Sequence, residues 1–351
     1  MFSGLSVTLG NFCSCAQVPP LPSKGKSLIE GVQIIDAHAH PDQFYDLTGT
    51  SQVDNTSTLR KIKNLRMAAS SFAAVGDFRT GTLSFDEIMR QINYVTNLER
   101  KGQVGIIRRH SDLHPSFNGP DFKPGAILAL EGASPLGTTP KKVTDNLDLL
   151  YGSGVRMISL MHFLDNQFGR GMHHPGKDGP GLTDLGRHLV ERMMSLGIVI
   201  DAVHAHYATL KDIAEIAVAH GIPIIDSHTS LSPAANPVGS RLRTWEEMRI
   251  IARTDGLICT WPLQRKNPWP GRLTIKDWAK ENYTLKTNLG DRHIGLGTDG
   301  GGLLPETVSD YKSIMDLPKL IGAMAEEGFD GQEIAGYMGG NLGRILQKCI
   351  G

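Results

Sequence analysis

VQIIDAHAH, residues 32–40, opens with apolar and β-branched residues and ends with two histidines, His38 and His40. The apolar opening is typical of a strand in a parallel sheet, because such a strand is buried on both faces. Ionisable side chains at the end of a buried strand are costly unless a ligand or a metal ion stabilises them. We therefore predict that this stretch is a strand that leads into a functional site.

Seven further stretches also contain short apolar runs rich in β-forming residues, and helical windows separate them. They are SSFAAVGDF (70–78), AILALEGA (126–133), VRMISLMHF (155–163), GIVIDAVHAH (197–206), IPIIDSHTS (222–230), GLICTWPL (256–263) and HIGLGTDGG (293–301). Strands that alternate with helices indicate a parallel sheet with crossover helices. Eight strands are the number that closes a barrel of this type. The predicted fold is therefore α/β, a (β/α)8 TIM barrel.

The crossover helices are predicted from periodicity and from end signals. Residues 86–102 carry apolar side chains near a period of 3.6. Residues 183–197 begin at Thr183, a predicted N-cap, and end at Gly197. Further helices are predicted around 140–151, 207–220, 243–254, 275–287, 311–327 and 331–348.

Six of the predicted strands end in ionisable residues. These residues are His38 and His40, Glu131, His162, His204 and His206, His228, and Asp299. A single histidine at a strand end is more often a structural residue, but six such strands in order indicate a functional site. Because the active site of such a barrel lies at the carboxyl ends of its strands, we expect these side chains to meet there.

The strand-end residues are suitable ligands for two divalent cations. Residues i and i+2 of a strand share one face, so His38 and His40 are predicted to bind one ion. Glu131, His204 and His228 are predicted to hold a second ion, with the two oxygens of Glu131 bridging the pair. Imidazole and carboxylate favour Zn²⁺, with Mn, Fe, Co and Ni as alternatives. Two such ions about 3.5–4 Å apart share a water and lower its pKa, which forms hydroxide near neutral pH.

The remaining strand-end residues are assigned to the chemistry or to its support. Asp299 is predicted to take a proton from the bridging water and to pass it to a leaving amine. His162 has no obvious metal role and is predicted to hydrogen-bond the developing oxyanion. His206, two residues after His204, is expected to support the ligands or to pack as a polar residue.

The composition excludes several classes of function. The 351 residues include 36 Lys+Arg and 36 Asp+Glu, so no net field favours nucleic acid or an anionic membrane, and neither is an expected partner. No stretch approaches the roughly 20 apolar residues that span a bilayer. The 4 cysteines do not form the dense framework of a small secreted domain. A small-molecule substrate is the expected partner.

The predicted domains are an N-terminal extension, residues 1–30, and a single (β/α)8 barrel catalytic domain, residues 31–351. The first 20 residues end in small residues, as the remnant of a secretion signal would, and that reading implies a periplasmic or secreted protein. A plain extension is favoured, because a charged start is missing and the apolar run is weak. That reading implies a cytoplasmic protein. The sequence leaves the compartment and the oligomeric state open, and a homodimer is one option.

The ordered motifs resemble those of the membrane dipeptidase (renal dipeptidase) family of zinc peptidases, peptidase family M19, in the amidohydrolase superfamily. The likeness runs from about residue 31 to residue 346. It rests on DAHAH (36–40), LEG (130–132), LMH (160–162), GLTDLGRHLVERMMSLGIVIDAVH (181–204), IIDSHTS (224–230), GLGTDGGG (295–302) and GGNLGRIL (339–346). The resemblance implies a (β/α)8 barrel that cleaves dipeptides, often tolerating a D-residue at the C-terminal position.

The resemblance also implies roles for individual residues. The metal ligands fall on His38, His40, Glu131, His204 and His228, the oxyanion-contacting and substrate-binding histidine on His162, and the acid/base aspartate on Asp299. The family binds the free carboxylate of its substrate with an arginine after the sixth-strand loop, where the guanidinium fork suits a carboxylate. Here that loop offers Arg241 and Arg243. Spacing does not choose between them, and Arg241 is favoured.

One position departs from the family. Its first-strand pattern is usually HxD, whereas this chain has His38-Ala39-His40, as is common in the wider superfamily. A neutral imidazole in place of a carboxylate makes the site more positive by one charge, which is expected to alter metal preference or substrate range. The predicted function is therefore a zinc-dependent dipeptidase, with a hydrolase of another amide, a lactone or a phosphoester as the alternative. A non-catalytic metal-binding protein is a third reading, against which the intact Glu131 and Asp299 argue.

Overall fold

The computed structural model of the chain describes residues 32–43, 57–78, 81–113, 122–176, 179–232, 241–266, 271–302, 304 and 306–351. The predicted N-terminal extension, residues 1–30, lies outside the described residues. The strands are β1 (Ile35–Asp36), β2 (Ala69–Val75), β3 (Asp77–Phe78), β4 (Gly81–Thr82), β5 (Gly105–Ile106), β6 (Gly125–Glu131), β7 (Val155–Ser159), β8 (Val199–Asp201), β9 (Ile224–Thr229), β10 (Leu257–Thr260) and β11 (Ile294–Leu296).

Eight parallel strands form the central sheet, in the order β1-β2-β6-β7-β8-β9-β10-β11. β5 pairs with the start of β6, and β3 and β4 form an antiparallel pair. Backbone hydrogen bonds after the ends of β1 and β11 close the sheet on itself. The N–H of Asp299 donates to the carbonyl of His38, and the N–H of His40 donates to the carbonyl of Gly300, each over 2.8 Å. The predicted (β/α)8 barrel is confirmed.

The helices lie in the predicted windows, except for the first, Leu59–Asn64, which was not predicted. They are α1 (Leu59–Asn64), α2 (Phe85–Arg100), α3 (Pro140–Gly152), α4 (Asp184–Leu196), α5 (Tyr207–His220), α6 (Trp245–Arg253), α7 (Ile275–Leu289), α8 (Leu317–Glu326), α9 (Gly331–Ala335) and α10 (Asn341–Ile350). The predicted ends of α4 are confirmed, because Thr183 accepts from the N–H of Gly186 and Gly197 ends the helix in a left-handed conformation.

Two predicted helices near the C-terminus are divided. The window 311–327 contains a short 3-10 turn before α8, which begins only at Leu317, with a proline in its first turn. The window 331–348 is broken by a π turn at Gly336–Gly340. A Cβ at Gly339 would lie 2.4 Å from the carbonyl oxygen of Gln33, so only glycine allows this approach to the start of β1. The break lets the C-terminal helices pack against the first strand.

Alternate residues of the barrel strands fill two apolar layers. Ile127 and Ala129 of β6 belong to a smaller cluster inside the barrel. Leu128 and Leu130 of the same strand belong to a larger cluster shared with the helices. This alternation follows from the period of two along a strand. Burial on both faces holds the strands rigidly, so their carboxyl ends provide a fixed platform.

The strands end earlier than predicted, so most of the predicted site residues lie on the turns that follow them. β1 stops at Asp36, β8 at Asp201 and β11 at Leu296. His204 has a φ of 60° and Asp299 has a φ of 49°. These left-handed conformations are incompatible with a continuing strand and turn the side chains across the mouth of the barrel. Among the described residues, no helix has the length and apolar character needed to cross a membrane.

Candidate active site

Five imidazoles surround the carboxylate of Glu131, the last residue of β6. Their Nε2 atoms lie close to its oxygens: His204 at 3.0 Å, His40 at 3.5 Å, His38 at 3.6 Å, and His162 and His228 at 3.8 Å. Glu131 itself is only 3% exposed. The residues that were predicted from separate strands therefore converge on one buried carboxylate at the mouth of the barrel.

The imidazoles form two close pairs. The Nε2 atoms of His38 and His40 are 3.3 Å apart, and those of His204 and His228 are 3.1 Å apart. Two nitrogens that bind one tetrahedral zinc ion at its usual bond length are about 3.3–3.4 Å apart. Each pair thus has the spacing of two ligands of one ion, and Glu131 has an oxygen beside each pair. The donor set therefore suits divalent metal ions.

Backbone carbonyls fix the orientation of two of the rings. The Nδ1 of His40 lies 2.7 Å from the carbonyl oxygen of Ala73, and that of His162 lies 2.6 Å from the carbonyl oxygen of Asp77. A carbonyl only accepts, so both rings donate from Nδ1. In the neutral rings the Nε2 lone pair therefore faces the cluster. Metal-binding histidines in proteins are commonly held in this way.

The surroundings of Glu131 favour its ionised, negatively charged form. Burial raises the pKa of this carboxyl, but the imidazoles of His162 and His38 and further contacts lower it to well below its usual range. Burial lowers the pKa values of His204 and His228. Glu131 is thus ionised beside His204 and His228, whose lowered pKa values favour the neutral imidazole, which is the form that binds metal ions.

His40 and His162 differ in their electrostatic surroundings. Burial lowers the pKa of His40, but hydrogen bonds to Asp299 and Glu131 outweigh it and raise the pKa to about 10. A proton and a cation would therefore compete for this imidazole, so metal binding is coupled to proton release. Burial lowers the pKa of His162 to about 4, with only partial compensation by Glu131.

The side chain of Asp299 lies in a turn where a neighbouring glycine, Gly302, leaves room for it. Its Oδ1 lies 3.6 Å from the Nε2 of His40, and the residue is 7% exposed. A Cβ at Gly302 would lie 2.0 Å from that same Oδ1. The glycines of GLGTDGGG thus leave the space into which the carboxylate turns. Asp299 lies where it could exchange a proton with a group at the cluster.

The two candidate arginines have different surroundings. Arg243 is buried in ion pairs with Asp226 at 2.6 Å and Glu247 at 3.0 Å, and it donates to two backbone carbonyls. Arg241 lies with its Cζ 4.9 Å from the ring centroid of Phe163, and both arginines line a small cavity beside His204. Arg243 has the contacts of a structural residue, while Arg241 borders the cluster.

His206 lies outside the cluster of imidazoles. It is the N-cap of α5, where its Nδ1 accepts from the N–H of Ala208 over 3.2 Å. Its Nε2 lies 2.7 Å from the carbonyl oxygen of Gly176, to which it donates. The side chain thus joins the segment after β7 to the start of a helix. These contacts are those of a residue packed by polar interactions, which is one of the two roles predicted for His206.

Sequence reasoning missed the polar residues that lie behind the ligands. The carboxylate of Asp36 accepts from the N–H of Thr298 over 2.8 Å and so joins β1 to β11. Asp201 accepts from the N–H of Ser227 over 3.0 Å. A signal was present, because DAHAH, DAVH and DSH each place an aspartate two or three residues before a histidine.

Two aromatic residues beside the cluster also escaped prediction. Phe163 stacks on the ring of His162 with centroids 4.0 Å apart. Trp261 lies with its ring 5.0 Å from that of His228, and its Nε1 donates to Ser230 over 2.9 Å. Aromatic residues after apolar strands are ordinary core residues, so no signal in the sequence distinguished these two.

Known proteins resemble this chain in sequence and in fold. The chain matches the model of the family described as membrane dipeptidase (peptidase family M19) over residues 24–349. It is 23% identical to dipeptidase verJ of Clonostachys rogersoniana, over 93% of this chain and 86% of that protein. The probable dipeptidase PvdM from Pseudomonas aeruginosa has a TM-score of 0.76 at 19% identity, covering 93% of this chain and 97% of its own.

A metallo peptidase from Rhodobacter sphaeroides, liganded with a phosphinate mimic of the dipeptide L-Ala-D-Ala, has a similar structure. Its TM-score is 0.75 at 18% identity, with 91% of this chain and 99% of that chain covered. At such identities the structural matches establish a shared fold.

Proposed function

The chain belongs to the membrane dipeptidase family, peptidase family M19, and is a metal-dependent, dipeptidase-like hydrolase; we propose that it hydrolyses dipeptides with two zinc ions. In this proposal His38 and His40 hold one ion, His204 and His228 hold the other, and Glu131 bridges them. The single observation that carries it is the pair of Nε2–Nε2 distances, 3.3 Å and 3.1 Å, on either side of one carboxylate.

The cations, when bound, would supply a water of lowered pKa as the nucleophile. Removing that proton and delivering it to the leaving amine are tasks for the protein. Asp299 is suited to both, because its carboxylate borders the cluster and is shielded from bulk solvent. A general acid–base residue must lie within hydrogen-bond reach of the groups that it serves. We therefore assign Asp299 as the proton shuttle.

His162 is assigned to the oxyanion that develops on the peptide carbonyl. This role requires a proton on Nε2, because its Nδ1 proton is donated to the carbonyl of Asp77. Burial opposes the doubly protonated ring and lowers its pKa to about 4. A developing negative charge beside Nε2 favours the same protonated form. His162 would thus stabilise the transition state more than the ground state.

Arg241 is assigned to the free carboxylate of the substrate. Its guanidinium borders the cavity beside His204 and His228, and a guanidinium binds a carboxylate through two parallel hydrogen bonds. A carboxylate held so close to the cluster places the adjacent peptide bond near the metal ligands. This arrangement suits a dipeptide, in which the scissile bond lies one residue from the C-terminus.

We also propose that the enzyme tolerates a D-residue at the C-terminal position. Support comes from the metallo peptidase of the same fold, whose bound ligand mimics L-Ala-D-Ala. In this chain the C-terminal residue of the substrate would be held through its carboxylate, which L- and D-residues share. Discrimination between the two would then depend on side-chain contacts alone.

The test combines metal analysis with a substrate panel. The purified protein is loaded with Zn²⁺, its metal content is measured, and it is assayed with L-L and L-D dipeptides, lactones, phosphoesters and N-acyl amino acids. We expect two ions per chain and hydrolysis of both dipeptide types. Cleavage of a lactone, phosphoester or N-acyl amino acid, with every dipeptide left intact, would overturn the proposed substrate and leave the metal site standing.

A further inference from the structure

Phe163 has an unusual backbone conformation for its residue type. It directly follows His162 and has a φ of 72°. The other non-glycine residues described with positive φ are Asp42, Arg66, His204, Asp255 and Asp299. Aspartate and histidine are among the residues most often found in this region, whereas for a bulky residue such a conformation is an outlier. Strain of this kind persists where the surrounding structure requires it, and it is concentrated at functional sites.

The ring of Phe163 contacts residues with different proposed roles. It stacks on the imidazole of His162 at 4.0 Å between centroids and lies 4.9 Å from the ring of His204. The Cζ of Arg241 lies 4.9 Å from its centroid. One side chain thus adjoins the proposed oxyanion group, a proposed metal ligand and the proposed carboxylate-binding group.

A second ring borders Arg241 as well. The Cζ of Arg241 lies 6.0 Å from the ring of Trp261, which is fully buried and lies 5.0 Å from the ring of His228. Cations within about 6 Å of an aromatic centroid are attracted to the ring face. A guanidinium stacked on a ring directs its N–H groups sideways, in its own plane, where a carboxylate can accept from two of them.

We propose that Phe163 is a positioning residue, which orients the guanidinium of Arg241 toward the substrate carboxylate and holds it at a fixed distance from the metal-binding histidines. This inference rests on the proposed dipeptidase function. The ring of Trp261, 6.0 Å from the same Cζ, is a second aromatic contact of this guanidinium.

The test compares substrates with and without the carboxylate. Wild type and Phe163→Leu are assayed with one dipeptide and with its C-terminal amide. Leucine keeps an apolar side chain against His162 but has no ring face for Arg241. We expect KM for the acid to rise roughly 3- to 30-fold, as the loss of a cation–π contact implies. The acid-to-amide ratio of kcat/KM should fall as a result, because the amide lacks the carboxylate that Arg241 is proposed to hold.

Two further variants separate the ring from the backbone strain. Phe163→Tyr keeps the ring face and should restore the preference for the acid. Phe163→Gly removes both the ring and the strain, because glycine adopts positive φ readily. It should therefore unfold at a higher temperature than Phe163→Ala while losing the acid preference equally. A merely structural role for Phe163 would instead make acid preference follow thermal stability across the variants.

Tyr283→Ala is the matched control. It removes an aromatic ring that lies 5.2 Å from the Nζ of Lys286, on the outer helix α7. This is the same kind of cation–ring contact away from the proposed site. Its acid-to-amide ratio should equal that of wild type.

A binding measurement separates failure of this inference from failure of the proposed function. Calorimetric affinities are measured for a dipeptide with a reduced, non-hydrolysable peptide bond, as acid and as amide, with metal content confirmed. An unchanged acid-to-amide affinity ratio in Phe163→Leu would overturn the inference and leave the dipeptidase function standing. A lowered ratio, in a protein whose wild type cleaves no dipeptide, would support the positioning role and overturn the function.

Discussion

The two ends of the barrel handle charge in opposite ways. At the amino end, Arg108 donates to both carboxylate oxygens of Glu99, each over 2.8 Å. Arg156 there donates to the backbone carbonyls of Arg108, Tyr151 and Val155. At the carboxyl end, imidazole nitrogens face one another in pairs around the single carboxylate of Glu131.

The two ends differ in whether the chain itself supplies the partners of its charged and polar groups. At the amino end, the cations of Arg108 and Arg156 lie against a carboxylate or against carbonyl oxygens, so the arrangement is complete within the chain. At the carboxyl end, two nitrogen lone pairs at hydrogen-bond distance repel each other unless a proton or a cation lies between them. The carboxyl end is therefore completed by an added proton or metal ion, and the following experiments test that contrast.

The largest effect is expected for Glu131→Gln. Glutamine has a single acceptor oxygen and no charge, so it cannot bridge two cations. We expect the bound metal to fall below two ions per chain and kcat to fall by more than about 100-fold, beyond what is typical for residues behind the ligands. Metal analysis and steady-state kinetics measure both. Full metal content in this variant would show that Glu131 is not a ligand.

Asp299→Asn should impair the chemistry while leaving the metal ions bound. Asparagine has a similar shape but cannot take up a proton, and loss of general acid–base catalysis is expected to lower kcat by about 10² to 10⁴. Metal content and the melting temperature should stay near wild type. If this variant turned over at the wild-type rate, the proton shuttle would have to be another group.

Gly302→Ala tests how narrowly Asp299 is placed. The added Cβ would lie 2.0 Å from the Asp299 Oδ1, so the carboxylate must move. A displacement of about 1 Å at a reacting group lowers rates by up to about 100-fold. Gly343→Ala, in α10, is the matched control, because its Cβ would meet nothing within 4 Å. Equal activity of the two alanine variants would contradict the tight placement.

The smallest effect is expected at the amino end, for Glu99→Gln. The hydrogen bonds from Arg108 lower the pKa of Glu99, so the folded state holds its charge more readily than the unfolded state. The stabilisation is present at pH 7 and is lost as the pH falls through the lowered pKa. For a partly exposed pair it amounts to between zero and about 1 kcal/mol. Urea unfolding of both proteins at pH 7 and at pH 3 measures it, and kcat should not change.

The fold was accessible from the sequence because buried parallel strands are so distinct in composition. Six of the eight barrel strands lie within the predicted stretches, and β2 and β6 each begin one residue earlier, at Ala69 and Gly125. Their ends were not accessible, because residues such as His204 and Asp299 leave the sheet through left-handed turns. Residue type allows such turns at histidine and aspartate but does not require them. The break at Gly339 likewise depends on a contact with a distant strand.

The site was accessible only in part. Residue type and position at strand ends identified the imidazoles and carboxylates that converge on Glu131. Spacing alone left Arg241 and Arg243 equivalent, and their difference appears only in the buried partners of Arg243. The role proposed for Phe163 depends on the direction of one ring, which the sequence does not encode locally.

The seam between the first and last barrel strands also has a consequence for how the protein acquires its metal ions. The hydrogen bond from Thr298 to Asp36 joins residues 262 positions apart, and Asp299 donates to the backbone carbonyl of His38 at the same seam. Contacts of such separation form late, because the intervening chain must first be ordered. On the ribosome, His38 and His40 would emerge long before the residues that hold them in place. The complete site would therefore arise only after the last barrel strand has been synthesised.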